Sequence, residues 1–123
     1  MTTEQASSSD SSIVDLDALQ ERVAGDMDLI SEIVNIFFSR YPEAIARVRE
    51  AAVSENHKNL EAAAHNLRGY LVTFHAKRSA EAASELETMG RSGNMTGAGK
   101  AFEKLEREIE LLMPLLASLD RKQ

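Results

Sequence analysis

The chain has 123 residues, a formal net charge of -6 and no cysteine. That length admits one domain with a modest core, and the missing thiols exclude a disulfide framework or a thiolate metal site. The acidic balance, with no basic stripe on one face, excludes a phosphate-backbone binder.

Met1 to Ser12 is polar, rich in Ser and Thr and without periodicity, and reads as a disordered leader before a domain at 13–120. A short helix is expected from Ile13 to Ala24 with Leu16, Leu19 and Val23 on one face, ended by Gly25, with Asp26 as the next N-cap. The second segment places Ile30, Ile33, Val34, Phe37, Tyr41, Ile45, Val48 and Ala52 at helical spacing. Pro42 falls inside it, and because the stripe stays in phase the spacing predicts a kink, not a break. Ser54 to Asn56 turns the chain into a third helix, Lys58 to Phe74. Its apolar stripe is Leu60, Ala64, Leu67, Leu71 and Phe74. A further helix is expected at Lys77 to Met89 with Ala80, Ala83 and Leu86 inward, then a loop from Gly90 to Gly97. The last helix carries Ala98, Phe102, Leu105, Ile109, Leu112, Leu116 and Leu119, bent near Pro114. Short links between one-faced helices predict an all-α, up-down antiparallel four-helix bundle with a short extra N-terminal helix.

The longest mostly apolar run, Leu111 to Leu119, is too short for a membrane span and is interrupted by Pro114 and Ser118. The N-terminus lacks the basic start and apolar stretch of a signal peptide, so the expected location is cytoplasmic. No glycine-rich phosphate loop, HExxH pair or nucleophile elbow is present. His57, His65 and His75 do not share a face at ligand spacing, which argues against a metal-binding bundle.

One segment stands out: Ala64-His65-Asn66-Leu67-Arg68-Gly69. At about 100° per residue, His65 lies roughly 140° and Gly69 roughly 180° from the centre of the apolar stripe. A glycine inside a helix costs about 1 kcal/mol relative to alanine, so Gly69 calls for a reason. Here it leaves an unobstructed approach to an outward imidazole, among the bare positions Ala62 and Val72. A neutral imidazole nitrogen is a competent nucleophile that can form a phosphoramidate, and Arg68 offers a guanidinium to phosphoryl oxygens. The chain has no nucleotide site, so the phosphoryl group must come from and go to another protein.

The segment resembles the histidine-containing phosphotransfer (HPt) domain of bacterial phosphorelays. The resemblance is carried by His65, Leu67, Gly69, Phe74, Ala76 and the pair Leu86-Glu87, in order and spacing. The stretch Ile33 to Glu50, with Phe37, Phe38 and Tyr41-Pro42-Glu43, is similar to the helix preceding the histidine helix, and the likeness extends over about Leu16 to Leu116. It implies that His65 is the phospho-acceptor through Nε2. It also implies that Arg68 stands for the family's lysine, that Glu87 accepts a hydrogen bond from His65 Nδ1–H, and that Arg91 adds positive potential. Tyr70 and Leu71 replace small residues and His75 stands where glycine is usual, so Tyr70 and His75 are expected at opposite edges of the core stripe. There they would widen the helix spacing or overhang the docking surface.

The implied function is a stoichiometric phosphocarrier, not a turnover enzyme. Its partners would be response-regulator receiver domains and a sensor or hybrid histidine kinase; it would be a monomer without cofactor, Mg²⁺ coming from the receiver. The expected docking surface is the flank of His65, Gly69 and Val72 with apolar residues of the N-terminal helix. Met1 and the polar leader suit a stand-alone carrier. The alternative is a non-phosphorylated helical adaptor or inhibitor of receivers or kinases, motivated by Tyr70 and His75.

Overall fold

A computed structural model describes residues 11–120. Among the described residues the helices α1 (Leu16–Arg22), α2 (Met27–Ser54), α3 (His57–Thr73), α4 (Lys77–Ser92) and α5 (Ala98–Ala117) follow in chain order. Residues 11–13 are also helical, so Ser11 and Ser12 do not belong to an irregular leader. The remainder of the expected leader lies outside the described residues.

Local chemistry accounts for where the helices start and stop. Asp15, Asp26 and Asn56 each accept from the amide three residues on, at 3.1 Å, and so cap α1, α2 and α3. Asp15 makes Leu16 the first residue of α1, and Leu16 is 43 % exposed, not inward as its spacing suggested. The apolar contacts on that side come instead from Ile13 and Val14, ahead of the cap, with Leu19 and Val23. Ala24 already turns left-handed (φ 55°), one residue before Gly25 (φ 78°). The second helix runs unbroken through Pro42, which is exposed; only the hydrogen bond to the residue 38 carbonyl is forfeited there.

The expected loop from Gly90 to Gly97 is too long. Gly90, Arg91 and Ser92 belong to α4, which ends at Gly93 in the left-handed region (φ 79°). The reason for Gly90 is tertiary. A Cβ at Gly90 would fall on the Glu61 amide nitrogen, 2.7 Å from the His57 carbonyl oxygen and 2.8 Å from Glu61 Cα. Glycine is therefore what lets α4 press against the first turn of α3.

Side-chain pairs fix the antiparallel order. Glu61 meets Arg91 and His65 meets Glu87 between α3 and α4. Arg78 meets Glu108 between α4 and α5, and the ring follows with Arg49 on Glu106 and over the Phe102 ring (5.5 Å) between α2 and α5. Asp120, beyond α5, accepts from Ser31 and Asn35 near the start of α2. Phe37 anchors the α2–α3 contact, with ring centroids of Phe74, Tyr70 and Tyr41 at 5.4, 5.5 and 5.5 Å. The four long helices thus close an up-down antiparallel bundle, and its core holds Leu60, Leu67, Leu71, Leu86, Leu105, Ile109, Leu112 and Leu116. Among the described residues no helix is long and apolar enough to cross a membrane.

Candidate functional site

The site is built on facing surfaces of α3 and α4. Burial of Leu60, Ala64, Leu67 and Leu71 sets the rotation of α3, and that rotation leaves His65, Gly69 and Val72 on one exposed flank. Ala83, Leu86 and Gly90 turn α4 so that Glu87 lies against α3 with its side chain only 7 % exposed.

Glu87 is the hub. Its Oε1 accepts from Arg68 Nε at 2.7 Å. Its Oε2 is 2.9 Å from His65 Nδ1 and accepts from Arg91 NH2 at 3.2 Å. Burial alone would raise the carboxyl pKa. The hydrogen bond with His65 and the charge and hydrogen bond of Arg68 outweigh it, and hold Glu87 below the ordinary value of 4.5. It is therefore a carboxylate at neutral pH and can only accept.

That fixes the imidazole. Facing an acceptor-only oxygen, Nδ1 carries the proton and donates it, so in the neutral ring Nε2 holds the lone pair. Arg68 NH2, 3.3 Å from Nδ1, then contacts a ring nitrogen that has no lone pair to give; the approach is one of charge, not a hydrogen bond. Nε2 has no hydrogen-bond partner among the described residues, on a side chain that is 65 % exposed.

Of the residues singled out in the sequence, His65, Arg68, Glu87 and Arg91 come together in one hydrogen-bonded group. Gly69 lies beside it, and a Cβ there would meet nothing within 4 Å. No described residue demands that glycine. Two participants escaped the sequence reading. Glu61 accepts from Arg91 Nε at 3.3 Å, and Gly90 sets the helix approach that brings them together. The i, i+4 relation of Glu61 to His65 was the available signal for the first; nothing local distinguished Gly90 from a loop glycine.

Tyr70 sits at the edge of the core stripe, as its phase implies, whereas His75 does not follow the helical phase. The half-buried Tyr70 ring is spent on Phe37, facing α2. His75 lies beyond the end of α3, left-handed at φ 56°, where its carbonyl accepts from the Asp15 amide at 3.0 Å and its Nε2 is 3.5 Å from Arg22. Its glycine-like conformation explains why a glycine is the easier residue at this turn. Among the described residues no group of three or more His, Asp or Glu gathers to hold a metal.

The Hpt domain family model matches residues 32–113. The chain belongs to the Hpt domain family. Hpt domains are helical phosphocarrier modules of phosphorelays that interact with receiver domains and kinases. The match spans α3 and α4 in full and most of α2 and α5, so the whole Glu87-centred group falls inside the Hpt domain. Neither curated proteins nor solved structures provide a match to this Hpt domain.

Proposed function

We propose that this Hpt domain is a phosphorelay intermediate in which His65 takes a phosphoryl group from a receiver-domain aspartyl phosphate, or from a sensor or hybrid histidine kinase, and passes it to another receiver. The observation that carries this reading is the pairing of a saturated Glu87 carboxylate on Nδ1 with an exposed, unpartnered Nε2. It pre-sets the nucleophilic tautomer before any partner arrives.

The bonds balance without a proton acceptor. The Nε2 lone pair forms a P–N bond as the P–O bond to the aspartate breaks, and the aspartate leaves as a carboxylate. Nδ1 keeps its proton, so the phosphorylated ring is cationic and faces the Glu87 carboxylate. In the return step, a second receiver's aspartate attacks phosphorus and neutral imidazole departs with Nδ1–H in place. Arg68, held through Nε, has its terminal nitrogens left for phosphoryl oxygens. Gly69 and Val72 give a receiver close access, with exposed Leu16 of α1 as an apolar contact. Mg²⁺ is the receiver's contribution, and the carrier works as a cytoplasmic monomer. The adaptor reading loses its motive, since Tyr70 and His75 serve the core and the α3–α4 turn.

Incubation with a panel of phosphorylated receiver domains tests the proposal. Label is expected on the wild type and not on His65→Gln. Equal label on both, or none on the wild type across the panel, would refute it.

A further inference from the structure

Arg91 is shared between two carboxylates. Its NH2 donates to Glu87 Oε2 at 3.2 Å and its Nε to Glu61 Oε2 at 3.3 Å. His65 Nδ1 reaches that same Glu87 oxygen at 2.9 Å, so the guanidinium and the imidazole are no farther apart than those two contacts laid end to end. Glu61 stands one helical turn before His65 on α3 and borders the same patch.

The encounter is built in by the backbone. Gly90 allows α4 to lie directly on the His57–Glu61 turn, and Arg91, the next residue, is thereby delivered to Glu61. The pair is nonetheless solvated, with Glu61 41 % and Arg91 60 % exposed, and such a pair is weakly held. The NH2 contact is different, because Glu87 is buried and charged. One side of the guanidinium is thus anchored and the other is free to exchange.

We propose that Glu61 is a positioning residue that competes with the phosphoryl group for Arg91, an inference that rests on His65 being the phospho-acceptor. In the free carrier Arg91 spans Glu61 and Glu87. When Nε2 carries a phosphoryl group, with more negative charge than one carboxylate, the Nε side of Arg91 leaves Glu61 for the phosphoryl oxygens while NH2 stays on Glu87. Arg91 must give up its ion pair with Glu61 to make that contact, and the lost pair holds down the stability of the phosphorylated form and so keeps the group transferable. No bond is made or broken beyond the exchange of hydrogen bonds.

Phosphoramidate tests this without any receiver, because the reagent phosphorylates imidazole nitrogens directly with release of ammonia. Loading of His65 is followed by ³¹P NMR, with His65→Gln identifying its signal. Glu61→Gln is expected to raise the loading rate roughly two- to fivefold, the range for giving up one solvated ion pair with Arg91. In an Arg91→Gln background the same change is expected to give less than about half that gain, measured as the departure from additivity. The Arg91 Nε–H resonance of the wild type is expected to shift on loading. An unchanged rate in Glu61→Gln, an equal gain in both backgrounds, a stationary Arg91 resonance or a wild type whose His65 does not load would each overturn the proposal. Failure of receivers to label His65 would refute the relay reading alone, since this reagent needs only an imidazole.

Discussion

Replacing Glu87 by Gln keeps the shape of the hub and removes its charge, and the cost follows from the hydrogen-bond count. Three donors converge on two oxygens: Arg68 Nε on Oε1, His65 Nδ1 and Arg91 NH2 on Oε2. An amide has one oxygen. Turned toward the Oε2 position, it keeps His65 and Arg91 but sets its NH2 against Arg68 Nε, a donor facing a donor. Turned the other way, it keeps Arg68 but presents NH2 to His65 Nδ1, which must then accept, moving the proton to Nε2 and removing the nucleophilic lone pair. Either way at least one charge-assisted bond, typically about 1.5–3 kcal/mol, is lost. Arg68 and Arg91 can be resolvated, which discounts the loss to about 2 kcal/mol. The pH dependence has a definite sign. The folded-state pKa of Glu87 lies below 4.5, so between the two values the unfolded chain binds the extra proton. The stabilisation is complete above 4.5 and is lost as pH falls through the folded pKa. Denaturant unfolding should therefore show the wild type ahead by about 2 kcal/mol at neutral pH, with the gap to Glu87→Gln closing under acid. Imidazole ¹⁵N shifts should show Nδ1–H in the wild type and a rising share of Nε2–H in the variant, with slower phosphoryl loading. A pH-independent gap, or an unchanged tautomer together with unchanged loading, would refute the reasoning.

The two glycines of the site should respond in opposite ways. Gly90→Ala drives a methyl onto the first turn of α3 and should cost about 1–3 kcal/mol in denaturant unfolding despite the better helix former. Gly69→Ala meets open space and should gain about 0.5–1 kcal/mol while slowing transfer from a receiver, which separates stability from access. His75→Gly relieves a left-handed non-glycine residue and should raise stability by about 0.5–1 kcal/mol, read as a higher unfolding midpoint. Phe37→Ala removes the ring on which Phe38, Tyr41, Tyr70 and Phe74 converge and should cost about 3–5 kcal/mol in the same measurement.

Most of the helical stretches of this chain were legible in the sequence, because helical periodicity and capping are local. The stripe in α5 from Ala98 to Leu116, the cap Asp26 and the outward phase of His65 all depend on residues within a turn or two. The same locality misled at Leu16 and His75. Helical phase says which residues share a side, but an N-cap inside the expected helix or a left-handed residue at a helix end resets the phase.

The exposed imidazole of the proposed acceptor was legible at His65, with Gly69 beside it, because two outward positions on one helix need no tertiary knowledge. The state of that imidazole was not. Whether Nε2 or Nδ1 holds the lone pair depends on Glu87, 22 residues away, and the charge of Glu87 depends on Arg68 and its own burial. The role of Gly90 likewise depends on what stands opposite it. By local propensity a glycine there reads as a helix end, and only the backbone of His57 and Glu61 pressed against it gives it its meaning. The sequence by itself determined most of the helices and the exposed ring. The contact between α3 and α4 decided its tautomer, its charges and the arginine beside it, because electrostatic and steric complementarity exist only between surfaces that folding has brought together.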